Sequence, residues 1–193
     1  MNSNIYTKKR INVRRLVIIG VLSGISIMLS LTPLGFIPIG PVNATIIHIP
    51  AIIGAVIEGP LVGLSIGLIF GLTSLIRAFT MPTVTSFLMM NPIISILPRI
   101  AMGLVSFYIF AVIYKITNKK KFSALITGII GSLINTIGVL GAIYLIYGEK
   151  YIHAIGKIGS PEKIIATIAL TNGLPEALLA GIIVSSVVAV IKK

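Results

Sequence analysis

Long apolar runs recur along the whole chain, separated by short breaks that carry proline, glycine or basic residues. A bilayer core about 30 Å thick is crossed by about 20 residues of helix, and most runs approach or exceed that length. The pattern predicts an all-α membrane protein, a single bundle of six transmembrane helices in which residues 1–193 form one domain. The predicted segments are roughly 14–32, 44–57, 60–77, 92–114, 123–147 and 163–190.

The second predicted segment differs from the others because it is short, about 14 residues against the roughly 20 that a span needs. It could be tilted, partly buried or re-entrant. The second and third segments are separated only by Glu58, Gly59 and Pro60. Glycine and proline at a helix junction indicate a tight turn, and proline suits the first turn of the next helix.

The composition agrees with a membrane protein, since 56% of the 193 residues are hydrophobic and only 10% are charged. The net charge of +12 does not indicate nucleic-acid binding, because the basic residues flank apolar segments as the positive-inside rule expects. This distribution predicts a multi-pass protein of the cell membrane with both termini in the cytoplasm. The clusters are Lys8, Lys9, Arg10, Arg14 and Arg15, then Lys115, Lys119, Lys120 and Lys121, and finally Lys192 and Lys193.

Several classes of chemistry are excluded by the residues that the chain lacks. It has no cysteine, no aspartate and no tryptophan, and only four glutamates and two histidines. No phosphate-binding G-x-x-x-x-G-K-[ST] loop, H-E-x-x-H helix or G-x-S-x-G elbow occurs. We therefore expect no metal, no cofactor and no enzymatic activity.

Polar residues inside the predicted membrane-spanning segments are then the functional candidates, as intramembrane polar groups usually are. Arg99 is the strongest, because it lies about seven residues, or roughly 10 Å, into the fourth segment. A guanidinium there could pair bidentately with a carboxylate, or it could snorkel to the membrane surface. Asn91, Pro92 and Pro98 loosen the same helix entrance.

Further candidates lie in the fifth and sixth segments. Asn135 and Thr136 fall within the fifth, and Asn172 and Glu176 are one helical turn apart in the sixth, so they share a face. Hydrogen bonding between helices is the alternative role for the asparagines and the threonine. Burying a carboxylate in a membrane protein costs free energy that packing alone would not compensate, which favours a functional role for Glu176.

Two breaks on the predicted outer side are apolar but not helical in character. LTPLGFIPIGPVNATIIHIP, residues 31–50, contains four prolines, which fix φ and remove backbone donors. Irregular backbone near membrane depth is tolerated where it is buried in protein or lines a cavity. The segment is therefore predicted to cap a binding site with polar contacts from Asn43, Thr45 and His48, and residues 80–92 form a second candidate cap.

The first segment presents a different feature. Gly20 and Gly24 are four residues apart, a small-xxx-small spacing that permits close helix contact. From spacing alone, the contact could lie inside the bundle or with another protein.

Along essentially its whole length the chain resembles the substrate-binding S components of energy-coupling factor (ECF) vitamin transporters. The resemblance is carried by the size, the six-span layout, the basic N-terminus and the capping loops. Within the family, LTPLGFIPIGPVNATIIHIP, FGLTSLIRAF and SFLMMNPIISILPR are most similar to the pantothenate-type members. Gly20 and Gly24 replace the alanines of an Ala-x-x-x-Ala face that contacts the transmembrane coupling subunit in the family.

The resemblance implies a receptor that captures a small vitamin outside, without a cofactor, and delivers it inward. It also implies as partners the bilayer, one transmembrane coupling subunit and two ATPase subunits. Pantothenate carries a carboxylate, hydroxyls and an amide, which suits Arg99 with Asn and Thr side chains. Pyridoxine or hydroxymethylpyrimidine remains a competing ligand. A stand-alone secondary transporter using Glu176, a lipid enzyme using His48, and a structural subunit are the competing functions.

Overall fold

The computed structural model describes residues 13–39, 42–157 and 159–191, and the side chains at 38, 39, 42 and 43 lie outside that description. Some basic residues of the clusters named above also lie outside it, namely Lys8, Lys9, Arg10, Lys192 and Lys193. The elements are α1 (Val13–Leu31), a 3-10 turn (Pro33–Gly35), β1 (Phe36–Ile39), β2 (Val42–Thr45), α2 (Ile49–Glu58), α3 (Pro60–Thr80), α4 (Ser86–Met89), α5 (Pro92–Ser95), α6 (Leu97–Thr117), α7 (Lys120–Ala154) and α8 (Pro161–Ile191).

The all-α membrane architecture predicted from the apolar runs is confirmed in its main features. Within the described residues, five helical stretches are long and apolar enough to cross a membrane: α1, α3, α5 with α6, α7 and α8. The predicted segment 44–57 is corrected, because its first residues belong to β2 and its helix begins at Ile49. The 10 residues of α2 extend only about 15 Å at 1.5 Å per residue.

Burial explains how so short a helix is accommodated. Every residue of α2 from Ile49 to Val56 is buried, and the helix contacts α1, α3, α6, α7 and α8. Its isoleucines form the centre of the main apolar core together with residues of the surrounding helices. Of the alternatives for the second segment, the structure therefore shows a buried helix.

Within residues 31–50, β1 and β2 pair as a β-hairpin, whereas an irregular loop was expected from the prolines. Phe36 pairs with Thr45 and Ile39 with Val42 in antiparallel register. Each strand of a two-stranded sheet is an edge strand, which is where a proline such as Pro38 can be accommodated. The hairpin is attached to α1 at its base, where Ser26 Oγ donates to the Ile47 carbonyl oxygen at 3.2 Å.

Glycines set the close approach of α3 to α6. Gly63, Gly67 and Gly71 follow one another at intervals of four on α3, and a Cβ at any of them would collide with the backbone of the α5–α6 region. Gly67 lies directly against the Arg99 carbonyl. This glycine seam was not recognised in the sequence, although its spacing is the same small-xxx-small pattern that was noted at Gly20.

The tight turn predicted between the second and third segments is present. Gly59 has φ +106°, a backbone conformation that glycine adopts without steric conflict, and Pro60 begins α3. Glu58 is more than a turn residue, because its carboxylate lies 2.9 Å from Arg14 Nε and 3.9 Å from Arg15 Nε. These contacts connect the start of α1 to the α2–α3 turn.

Replacing Glu58 by glutamine is expected to lower stability only slightly, by about 0.2–1 kcal/mol, since ion pairs with exposed side chains contribute little. Arg14 is 71% exposed in this pair. The thermal midpoint of the purified protein in detergent would measure the change, with Glu149→Gln, an exposed acid on α7, as the matched control. Equal midpoints for the two variants would contradict a stabilising pair.

Candidate functional site

A cavity of about 450 Å³ lies beneath the hairpin, at the end of the bundle opposite the Arg14–Glu58 contact. Its volume is within the range of small-molecule sites. The wall is formed by residues of α1, both strands, α3, α4, α6, α7 and the segment that leads into α4. The lining residues are Ser30, Phe36, Thr45, Ile47, Phe70, Ser74, Arg77, Ala78, Met81, Thr83, Thr85, Ser86, Met89, Arg99 and Asn135.

Arg99 lies in the wall of this cavity and does not extend to the lipid-facing surface. It is 6% exposed, and its Nη1 donates to the Ile94 carbonyl oxygen, which the break between α5 and α6 leaves available. Its guanidinium carbon is 5.4 Å from the centroid of the Phe70 ring, and Nη2 is 3.7 Å from Met89 Sδ. Within the described part of the chain, Nε has no acceptor.

No carboxylate of the described residues lies within 4 Å of this cation. Among the described residues, the acid–base pairs within 4 Å all involve Glu58, at the opposite end of the bundle. A buried charge without a partner is strongly unfavourable, and a bound anion would compensate it. The electrostatics of the cavity therefore favour a ligand with a negatively charged group.

Asn135 supplies a complementary group. It is 9% exposed on α7 and lines the same cavity as Arg99. Its Oδ1 accepts no hydrogen bond from any residue that the structure describes. The cavity therefore presents a free acceptor as well as a free donor, which suits a ligand that carries an N–H or O–H group in addition to an anion.

Sequence reasoning missed the contribution of α3 to the site. Phe70, Ser74 and Arg77 are spaced by four and three residues, so they share one face of the helix, and all three line the cavity. The Arg77 guanidinium carbon is 5.8 Å from the centroid of the Phe36 ring, which places a second cation beneath the hairpin. Ser74 and Arg77, two polar residues three positions apart in an otherwise apolar segment, were the feature of the sequence that could have indicated this part of the site.

The second predicted cap, residues 80–92, does contribute to the wall. Met81, Thr83, Thr85, Ser86 and Met89 line the cavity. The turn before α4 is ordered by Ser86 Oγ, which accepts from the Thr83 backbone N–H at 2.7 Å. Together with the hairpin, this segment surrounds the cavity with hydroxyl groups.

Four other predicted candidates do not line the cavity. Asn91 caps α5 through its Oδ1, which accepts from the Ile93 N–H. Thr136 packs against Gly173, and Asn172 accepts a hydrogen bond from Thr171 Oγ1 at 3.2 Å. His48 is 1% exposed at the start of α2, and its Nε2 has no partner among the described residues.

Thr45, Glu176 and Asn43 complete the set of candidates. Thr45 lines the cavity. Glu176 is 7% exposed but lies behind Thr45, outside the set of lining residues. The backbone of Asn43 belongs to β2, opposite Pro38, and its side chain lies outside the described structure.

The small residues of α1 are on the outer surface. Gly20 and Gly24 are exposed, and a Cβ at either would meet no atom within 4 Å. The residues of α1 that are buried within the protein are instead Ser23, Ser26 and Ser30. An apolar groove of about 460 Å³ lies between α1, α2 and α8, and neither glycine is among its lining residues.

Comparison with known proteins identifies a family that matches most of the chain and two similar proteins that match 79% and 55% of it. A family model described as the substrate-specific component of ECF transporters matches residues 14–191. The pantothenic acid transporter PanT of Lactococcus lactis subsp. cremoris is 30% identical over 167 residues, which cover 79% of this chain and 80% of the relative. The pantothenate transporter PanT of Leuconostoc mesenteroides subsp. mesenteroides is 33% identical over 117 residues, covering 55% of this chain and 56% of the relative. These matches confirm the resemblance inferred from the sequence.

Proposed function

Because the chain belongs to the family of ECF transporter substrate-specific components, we propose that it is a pantothenate receptor of the cell membrane. It is a multi-pass membrane protein of a family of transporters, not of enzymes. Two relatives are named as pantothenate transporters, and the cavity under the hairpin is the proposed binding site. The whole chain, residues 1–193, acts as one unit in this proposal.

The observation that carries the proposal is the pair of free polar groups in the cavity wall, Arg99 Nε and Asn135 Oδ1. Pantothenate has a carboxylate that can accept from the guanidinium, and hydroxyl and amide groups that can donate to the asparagine oxygen. The surrounding Ser and Thr hydroxyls can bond the remaining polar groups, and Phe70 and Met89 contact the hydrocarbon part. Binding through these hydrogen bonds and apolar contacts needs no metal or cofactor.

The placement of charge supports binding on the outer side. Arg14 lies at the start of α1, and Lys115 and Lys119 lie at the junction of α6 and α7. All three are at the end of the bundle opposite the cavity. The positive-inside rule assigns that end to the cytoplasm, so the cavity opens outward. Six passes, with α2 counted as a short buried one, bring both termini to the cytoplasmic side.

Energy coupling is proposed to come from other proteins. The family implies a transmembrane coupling subunit and two ATPase subunits as partners. Gly20 and Gly24 form an exposed, sterically open surface on α1. This surface is the proposed contact with the coupling subunit.

Ligand retention tests the proposed substrate directly. The chain is purified alone in detergent and mildly denatured, and the released small molecules are identified by mass spectrometry. We expect pantothenate at about one molecule per chain. A parallel purification of Arg99→Ala, which removes the proposed carboxylate partner, is expected to release much less.

The other outcomes discriminate between the alternatives. Release of pyridoxine or hydroxymethylpyrimidine would keep the receptor function and overturn the substrate. A protein that releases no vitamin, and that no vitamin stabilises against heat, would overturn the receptor function itself.

A further inference from the structure

Glu176 makes a contact that the proposed ligand site does not require. Its Oε1 accepts two hydrogen bonds from Thr45, one from the backbone N–H at 2.9 Å and one from Oγ1 at 3.0 Å. The two residues are 131 positions apart, so the contact exists only while β2 lies against α8. Among the described residues of β1 and β2, these two are the side-chain hydrogen bonds that attach the hairpin to the helices.

The contact acts on the part of the hairpin that covers the cavity. Thr45 is paired with Phe36 across the two strands, and both residues line the cavity. The Phe36 ring lies 5.8 Å from the guanidinium carbon of Arg77 on α3, while Thr45 is hydrogen-bonded to Glu176 on α8. The Phe36–Thr45 pair therefore bridges α3 and α8 above the ligand site.

A separate attachment at the hairpin base provides a pivot. Ser26 Oγ of α1 donates to the Ile47 carbonyl oxygen, the Ile46 N–H donates to the Gly35 carbonyl oxygen at 3.0 Å, and Gly35 packs directly on the Leu29 backbone. None of these contacts involves Glu176. Loss of the Glu176 contact would release the Phe36–Thr45 pair from α8 without detaching the hairpin from α1.

From this arrangement we infer that Glu176 is a positioning residue that latches the hairpin over the cavity, and does not itself contact the ligand. Opening of the Thr45–Glu176 contact admits and releases the ligand. The inference rests on the proposed function for the identity of the ligand, but the latch itself is defined without it.

The chain has no cysteine, which allows the latch to be measured by thiol labelling in the absence of ligand. Ser30→Cys places a small thiol on α1 in the cavity wall, at a position that is 3% exposed. Its rate of reaction with a water-soluble maleimide reports access to the cavity. Ser160→Cys, at an exposed position before α8, is the matched control for reagent and detergent effects.

Two substitutions at Glu176 separate the latch from a general defect. Glu176→Ala removes the acceptor and is expected to increase the labelling rate of Ser30→Cys about tenfold, the factor that corresponds to about 1.4 kcal/mol. Glu176→Gln keeps an oxygen acceptor of the same shape and should largely restore the slow rate. Thr45→Val, which removes only the Oγ1 donor, should give an intermediate rate. Labelling of Ser160→Cys should be the same in all of these backgrounds.

An unchanged Ser30→Cys rate in Glu176→Ala would overturn the latch. Equal acceleration at Ser30→Cys and Ser160→Cys would also overturn it, because that result indicates loss of the fold. Labelling distinguishes this failure from failure of the proposed substrate. If Glu176→Ala labels faster at Ser30→Cys but the protein binds no pantothenate, the latch is supported and the proposed substrate is rejected. If the protein binds pantothenate but the labelling rate is unchanged, the substrate is supported and the latch is rejected.

Discussion

Replacing Arg99 by alanine is expected to weaken pantothenate binding by about 10- to 100-fold, the range that corresponds to losing a hydrogen-bonded charge partner of about 1.5–3 kcal/mol. The guanidinium is buried, faces the cavity and has no carboxylate partner among the described residues. A ligand carboxylate would therefore be its main source of compensation. Titration calorimetry of the purified protein measures the change.

Two control variants make this prediction specific. Arg99→Lys keeps the charge but loses the planar fork that binds carboxylates bidentately, so its affinity should lie between those of the wild type and Arg99→Ala. Lys115→Ala removes an equal charge from an exposed position near the end of α6 and should leave the affinity unchanged. If Arg99→Ala binds as tightly as the wild type, Arg99 does not belong to the ligand site.

Replacing both Gly20 and Gly24 by leucine is expected to abolish co-purification with the coupling subunit while leaving pantothenate affinity unchanged. Neither added side chain meets an atom of this protein at its Cβ, so the bundle should fold normally. Two leucines would, however, prevent another helix from approaching the α1 backbone closely. Co-expression with the coupling and ATPase subunits, followed by affinity purification through this chain, measures the association.

Gly141 offers a matched control for the leucine variants. It also lies on a membrane-spanning helix, and a Cβ there also meets no atom within 4 Å, but it belongs to α7 and lines a groove between α7 and α8. Gly141→Leu should leave the complex intact. Survival of the complex with leucine at Gly20 and Gly24, and its loss with Gly141→Leu, would move the docking surface to α7 and α8.

The two glycine patterns show why spacing alone did not identify an interface. Gly20 and Gly24 have the same four-residue interval as Gly63 and Gly67, yet the first pair is exposed and the second lies against α6. Spacing determines that residues share a helix face, but the rotation of the helix within the bundle determines what that face meets. That rotation depends on packing against all neighbouring helices, which a local pattern does not contain.

Only part of the candidate site was predicted from the sequence, because the rest also depends on how the helices pack. Arg99 and Asn135 were identified because a charge and an amide are conspicuous in apolar helices, and the structure places both in one cavity wall. Arg77 was not identified as a site residue, because its approach to the cavity depends on the path of the hairpin above it. Glu176 was correctly expected to be buried, but its partner Thr45 is 131 residues away.

The sequence by itself determined that the chain is an all-α membrane protein, where most of its long helices lie, and which polar residues are unusual at apolar depth. Hydrophobicity and charge act locally along the chain, so these properties can be read from the order of the residues. Only the tertiary structure decided that β1 and β2 pair as a hairpin, that α2 is a short buried helix, and which polar residues meet in one cavity. Each of those depends on contacts between segments distant in sequence, where burial and hydrogen bonding with particular partners outweigh local preference.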